Sequence, residues 1–400
     1  MRFRIPGSLA ATLLALVPIF VASHFRSTTY NNYVRLAVAM LHGRMWIDWP
    51  GRIIDAAAYH GHHYGVDGPF PVIFVLPFAL FKGLEANQTL PASILGAVDV
   101  GLAWILLGRL GVARTPRVWL TAFLFAGTDL WWCAMLGDVW FFAHIASVGC
   151  TLLILIELAG KRRGWLIGLL TVCSFESRFT TALAIPIYAY LLGSGELARY
   201  CGVEPQAFSA RRALRSYATV LLGGLVLWVA YNEAMWGLPI DIGHTLYFHQ
   251  DPWGRPSGSP FGLRYVPYQV YSFFMQGPVL VEWLQQAQWP VFKADPHGIA
   301  LTFTSPALIL AFWARARRRL IAALWLGALL VAAPAFLYYL NGWYQFGMRH
   351  ALDFEPFLLV LMAIAVRRSI PVWGMALCAY SILVGTWGVW YWDAFFRTGD

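Results

Sequence analysis

Apolar runs, each close to the about 20 residues that a bilayer-spanning helix needs, alternate along this chain with short clusters of Lys and Arg. That alternation leaves few options. The hydrocarbon core offers backbone groups no water, so a chain built this way folds as a bundle of helices. Six clusters, Arg2/Arg4, Arg109/Arg114/Arg117, Lys161/Arg162/Arg163, Arg199/Arg211/Arg212/Arg215, Arg315/Arg317/Arg318/Arg319 and Arg367/Arg368, hold 18 of the 29 basic residues. A net charge of +9 would suggest nucleic acid as partner of a soluble protein; here it reports orientation. With 59% hydrophobic and 12% charged residues and a mean hydropathy of +0.58, 400 residues do not make a water-soluble domain.

Placing all six clusters on the cytoplasmic side requires an even number of crossings between consecutive clusters. Residues 8–25 and 91–108 satisfy this between the first two. Residues 69–84, broken by Pro69, Pro71 and Pro77, are then expected to be interfacial or half-inserted on the outer side. The pairs 118–134 and 143–159, 165–177 and 179–193, 217–236 and 298–313, and 320–340 and 351–366 follow, and 370–390 exits. The expectation is an all-α polytopic transmembrane bundle of about eleven helices, one domain over 1–400, with the N-terminus cytoplasmic and the C-terminus outside. Residues 164–193 also read as one long helix containing Glu176 and Arg178, which would invert everything downstream. Met1 to Phe25 reads as an uncleaved anchor. The outer face then carries a first loop, 26–90, with interfacial helices, and a long loop, 237–297.

Chemistry is expected on that face. The stretch Tyr30 to Pro77 is the most polar in the chain, holding Arg35, Arg44, Asp48, Arg52, Asp55, four histidines and Asp67. Ionisable groups beside a membrane cost about 2.5–3.5 kcal/mol on insertion scales, so several on one side ask for a reason. Asp48 and Asp55, flanked by Trp46, Trp49 and Pro50, have the chemistry of a general base; an ion pair with Arg44 or Arg52 is the structural alternative. Asp138, six residues before His144, is a second acid or the cap of the helix that follows. Arg264 and Arg349 sit among aromatics, where a guanidinium fork grips phosphate or snorkels at the interface. Arg178 beside Glu176 reads as a structural pair, and Asp241, Asp251, Asp295 and His297 as solvated loop residues. The five scattered cysteines lack metal-type spacing. The sequence has no Walker, GxGxxG, HExxH or GxSxG motif, which argues against nucleotide-driven chemistry.

In order along the chain stand Asn32-Tyr33, Leu41-His42-Gly43-Arg44, Tyr64, Gly68-Pro69-Phe70-Pro71, Gly127-Thr128, Asp138 with Trp140 and His144, and Arg178. Tyr231-Asn232, Phe261 to Tyr265, Thr304-Ser305-Pro306 and Asn341 to Arg349 follow. In this order and spacing the chain resembles the bacterial family-39-like membrane glycosyltransferases of the GT-C fold, the class of protein O-mannosyltransferases and the lipid A aminoarabinose transferase. The resemblance covers most of the chain. It implies transfer of a sugar from a polyprenyl-phosphate donor to a lipid or glycan acceptor at the outer face of a bacterial inner membrane. It also implies a base from the first outer loop and a second acid, matched by Asp138. One position departs: where such enzymes carry an aspartate after the first helix, this chain has Asn31-Asn32, and an amide cannot take a proton as a carboxylate does.

The expectation is therefore a glycosyltransferase with Asp48 as first candidate for the base and Asp55 as second, and Asp138 orienting substrate. Arg349 and Arg264 hold phosphate; Asn32, Tyr64, His144, Arg178, Gln345 and His350 line the substrate site. No metal site or cofactor is assigned, although Asp48 and Asp138 would offer oxygens to a divalent ion if the fold joined them. Two other readings stand beside it: a transporter or flippase of polyprenyl-linked or other amphipathic anions, and a non-catalytic subunit of a glycan assembly complex. A flippase needs polar groups along the whole path. Here Asp99 is the one acid near mid-helix, which favours the transferase.

Overall fold

A computed structural model describes residues 6–49, 51, 55–203, 208–280 and 292–395; Arg2, Arg4 and Arg52 lie outside them. The protein is mostly helical. Among the described residues five helices are long and apolar enough to cross a membrane: α4 (Thr89–Arg109), α7 (Val139–Leu158), α11 (Ala210–Trp236), α15 (Arg318–Leu337) and the last, α17 (Val372–Phe395). A sixth span is a bent pair, α5 (Arg114–Ala126) and α6 (Leu130–Leu136), meeting at 44°. Shorter apolar helices accompany them, α1 (Gly7–Ser23), α8 (Gly164–Phe175), α9 (Ile185–Ser194) and α16 (Glu355–Ala365), and a single polar turn, α10 (Glu196–Tyr200), follows α9. Large apolar side chains such as Leu14 on α1, Leu227 on α11 and Leu329 on α15 face outward, as they do where lipid rather than protein covers a helix.

Small residues let the helices approach. A Cβ at Gly101 of α4 would stand 2.1 Å from Thr12 Oγ1, and one at Gly96 2.6 Å from the Ala134 Cβ, so α1 and α6 dock on α4 through seams with no room for a side chain. The basic clusters gather at one end of the bundle. Ala113 N–H donates to the Arg367 carbonyl (2.8 Å), Arg109 Nη1 to the Ile156 carbonyl (2.8 Å), and the Arg367 guanidinium lies 4.9 Å from the Tyr200 ring. At the opposite end, His24 meets Asp393 (2.8 Å), Gln88 Nε2 donates to the Gly137 carbonyl (2.8 Å), and Phe70 N–H to the Glu176 carbonyl (3.1 Å). The chain thus shuttles between a basic end and an end built from the loops after α1, α6, α8, α11 and α15.

Several expectations are corrected. The protein is not purely α: β1 (Ala56–Tyr59) and β2 (His62–Gly65) form an antiparallel hairpin in the first loop, and a two-residue ladder joins β3 (Val279–Leu280) to β4 (Phe292–Lys293). The hairpin follows from Ala-rich alternation around His60-Gly61, both at positive φ in the turn. The 118–134 run is not one straight span, because the chain breaks at Gly127-Thr128-Asp129. Of the two readings of residues 164–193, the single long helix falls: α8 stops at Phe175 and a 3₁₀ turn, Phe179–Ala184, leads into α9, a break where the paired reading put one. Residues 298–313 form α14 (Leu301–Thr304) and a 3₁₀ segment (Pro306–Trp313) instead of a regular span. Of the first loop, α2 (Asn32–Leu41) and the Pro77-containing α3 (Val72–Lys82) are short helices packed on each other. The second loop supplies α12 (Gly243–Gln250) and α13 (Val266–Phe274).

The seam predicts opposite outcomes for two glycines. Gly101→Val forces α1 from α4 and is expected to cost about 1–3 kcal/mol. Gly223 on α11 has open space around its α-carbon, so Gly223→Ala is expected to gain about 0.5–1 kcal/mol from helix propensity. Unfolding of the purified protein in detergent checks both signs.

Candidate functional site

The polar end encloses a cavity of about 430 Å³. Five Asp and Arg side chains line it from distant parts of the sequence: Asp55 and Asp67 from the first loop, Arg178 from the turn after α8, Asp251 from the end of α12, and Arg349 from the loop before α16. Each is placed by a specific local feature. Asp55 opens the β hairpin at φ 44°, a left-handed conformation that aspartate tolerates. Asp67 precedes Gly68, whose missing Cβ would lie 2.1 Å from the Glu176 carbonyl oxygen. Only glycine lets that turn dock there, and docking it sets Asp67 in the same chamber as Arg178.

Arg349 rests in a cradle made by its own loop. Its Nη1 donates to Gln345 Oε1 (2.9 Å), and Gln345 Nε2 in turn donates to the carbonyls of His297 (2.7 Å) and Asn341 (2.9 Å). Gly342, at φ 123°, closes the loop over this pair; a Cβ there would stand 2.4 Å from Gln345 Oε1 and 2.7 Å from Arg349 Nη1. The break in the bent span has its use here: Asp129 reaches Gly347, where a Cβ would come within 2.4 Å of its Oδ1. Arg349 Nε is buried with no partner among the described residues, so the guanidinium keeps donor capacity.

Arg178 is held differently. Its Nε donates to Asp353 Oδ2 (3.2 Å) and its Nη2 to His350 Nδ1 (3.0 Å). Thr180 donates to the same Asp353 oxygen (2.9 Å), and His144 Nδ1 to Oδ1 (2.7 Å). Burial alone would raise the Asp353 carboxyl, but the His144 and Arg178 charges and the His144 hydrogen bond hold it well below the usual range. Burial, then Arg349 and Arg178, push His350 far down, so its ring is neutral; with Nδ1 accepting from Arg178, the proton sits on Nε2.

Burial, and then the charge of Asp67, push Asp55 up to about 8, against the pull of Arg349 and a hydrogen bond from Tyr247. Burial raises Asp67 as well, opposed by Arg178, His244 and Arg349. Both carboxyls keep an Oδ2 that is buried and unpartnered among the described residues. Two carboxyls that cannot both ionise easily, set beside two fixed cations, are suited to taking up one proton next to a bound anion. Aromatic and apolar side chains, among them Phe179, Phe261, Pro334 and Tyr338, share the remaining wall with Thr180, His244 and Asp251.

The sequence-derived candidates sort cleanly. Asp55, Arg178, Arg349 and His350 line the cavity, with Gln345 supporting Arg349. His144 stands behind, fixing Asp353. Asp48 is corrected: its side chain is 59% exposed and locked to Arg44 by two bonds of 3.0 Å, so the ion pair is its role. Arg264 is corrected too, being exposed and engaged with Tyr265 Oη (2.8 Å) and the Ser259 carbonyl (3.3 Å) outside the cavity. Tyr64 packs on Trp236 (5.0 Å between centroids) instead of lining the cavity. Asp138, at the cap position of α7, accepts from Thr28, and Asn32 Nδ2 reaches the Asp55 carbonyl (3.5 Å) from a neighbouring cleft. Arg178 pairs with Asp353 and not with Glu176. Asp251 is buried, accepting from Tyr339, and lines the cavity instead of being solvated.

Asp67, Asp353 and His244 went unassigned in the sequence, although Asp67-Gly68-Pro69 marks a turn in the polar loop and Asp353 follows His350 by three residues. Among the described residues no three metal-ligating side chains converge. No family profile, curated protein or solved structure matches this chain.

Stability and the site oppose one another at Asp55. Its folded pKa lies above the unfolded value, so the folded state binds the extra proton and loses stability as pH rises from about 4 towards 8. Asp55→Asn removes that cost. The variant is expected to be more stable than wild type at pH 7.5, by about 1–3 kcal/mol, and to match it at pH 4. Thermal unfolding across pH checks this.

Proposed function

We propose that the protein is a membrane glycosyltransferase that moves a sugar from a polyprenyl-phosphate donor to an acceptor at the outer face of a bacterial inner membrane. The observation that carries the proposal is one cavity, at the end of the bundle away from the basic clusters, in which Arg349 and Arg178 face Asp55, Asp67 and Asp251. The positive-inside rule, by which basic clusters favour the cytoplasmic side, supports reading the cavity as facing the outer leaflet. The reading takes the short apolar helices as further crossings, lengthened by the 3₁₀ segments, for a bundle of about eleven in all.

Arg349 and Arg178 bind the donor phosphate, and Phe179, Phe261, Pro334 and Tyr338 cover the first isoprene units. The acceptor hydroxyl attacks the anomeric carbon and gives its proton to the Asp55–Asp67 pair. The bond from that carbon to the phosphate oxygen breaks, with its electrons passing to the phosphate, whose charge grows by one. The two guanidiniums stabilise that growing charge. Neutral His350, donating through Nε2, serves the sugar or a non-bridging oxygen. The carboxyl pair of the hairpin loop thereby replaces the aspartate missing at Asn31-Asn32.

Purified protein in lipid, given radiolabelled polyprenyl-phosphate sugars and an envelope extract, tests the proposal. Asp55→Asn is expected to cut turnover by about 10²-fold or more with donor binding kept. Arg349→Ala is expected to weaken donor binding by about 10-fold or more. Asp48→Asn should behave as wild type. Donor that binds, crosses the bilayer and is never cleaved would instead establish a flippase.

A further inference from the structure

A second cavity, of about 340 Å³, adjoins the first. Asp67, Arg178, Phe179, His244 and Phe261 line both and so form the partition between them. Its far wall comes from α11, through Trp228, Tyr231, Asn232 and Trp236, and from Glu176 and Asp241.

The chemistry of this chamber differs from that of its neighbour. Arg349 lines the first cavity and is not part of this lining; here three carboxyls, Asp67, Glu176 and Asp241, face Arg178 and His244. Arg178 is already engaged by Asp353, and His244 by Asp241 (3.1 Å). Burial, then the Asp241 charge, push Glu176 up to about 7, so this corner already resists further negative charge. A second anion is disfavoured. A ligand rich in hydroxyls is not, since each hydroxyl donates to a carboxylate and accepts in return.

Three buried polar atoms in the lining await such a partner. Trp236 is 3% exposed, yet its Nε1–H has no acceptor among the described residues; the Tyr231 hydroxyl and Asp67 Oδ2 are likewise unpartnered. An indole and a phenol with their polar edges unused, beside the further ring of Trp228, give both flat apolar faces and hydrogen bonds. Those are the two halves of a sugar ring's surface.

We infer that the second chamber binds a neutral saccharide acceptor and presents its reacting hydroxyl to Asp67 at the partition. This rests on the transferase reading above and deepens it. Asp67 faces both chambers and receives the acceptor proton as the new bond to the anomeric carbon forms and the phosphate leaves with its electron pair. Asp55 lines the donor chamber only, where burial and then the charge of Asp67 raise its own proton affinity.

The test uses the full chain in a detergent without sugar headgroups. Saturation-transfer NMR with maltose, cellobiose and chitobiose as probes reads the saccharide site; binding of a labelled polyprenyl phosphate reads the donor site. At least one disaccharide is expected to saturate. Trp228→Ala, a half-buried position, should weaken it about ten-fold, Trp228→Phe should restore most of it, and Arg349→Ala should leave it unchanged. In the transfer assay Trp228→Ala should raise the acceptor KM about ten-fold with kcat and donor affinity kept. Disaccharides that fail to bind while the donor binds, or that bind equally to Trp228→Ala, overturn the inference and leave the transferase reading standing. Trp228-dependent disaccharide binding without any donor binding supports the chamber and removes the transferase.

Discussion

Asp353 accepts from His144, Arg178 and Thr180, and through those hydrogen bonds it ties α7 to the turn after α8 and to the 3₁₀ turn Arg349–Asp353. Its side chain is 2% exposed, so the carboxylate stays charged only because its partners surround it. A pair this deep gains little net stability over an apolar replacement, and removing one partner leaves the other charge stranded at a cost of about 3–5 kcal/mol. What the cluster secures is geometry. It sets the guanidinium of Arg178 towards the cavity, fixes the tautomer of His350, and anchors the segment whose first residue is Arg349. The hairpin loop, the Gly68 turn and the aromatic wall assemble around that anchored pair of cations.

The site is correspondingly costly to fold. Asp55 and Asp67 each hold a buried oxygen, and Arg349 a buried nitrogen, without a partner among the described residues, and three glycines sit where a methyl group would collide with Glu176, Gln345 or Asp129. Protein elsewhere offsets this: α4 and α7 pack their small and apolar residues tightly at the centre of the bundle. A carboxyl pair raised in proton affinity and two fixed cations would suit the proton uptake of the proposed reaction, and that cost is local to one end of the molecule.

Much of this was legible beforehand. Arginine clusters at 109–117, 161–163 and 367–368 gave an end for each turn of chain, and they do meet at one end. Arg349 and His350, set in an aromatic loop, drew notice because a cation among rings near an interface is costly without a use, and both line the cavity. Asp48 misled because its Trp neighbours suggested burial, whereas the i, i+4 arginine Arg44 captures it in solvent. Asp353 was hidden among the ends of helices, and its importance lies in partners 209 and 175 residues away.

The sequence by itself determined that the chain is helical, apolar on its outside and polarised from a basic to a chemical end, since hydropathy and charge are additive along a chain and each run must satisfy its own backbone. Tertiary structure alone decided which of the carboxylates became the site. Asp48, Asp55, Asp67 and Asp138 are equivalent in composition. Burial, the nearness of Arg178 and Arg349, and the missing Cβ of Gly68 set them apart, and each of these depends on residues that only folding brings together.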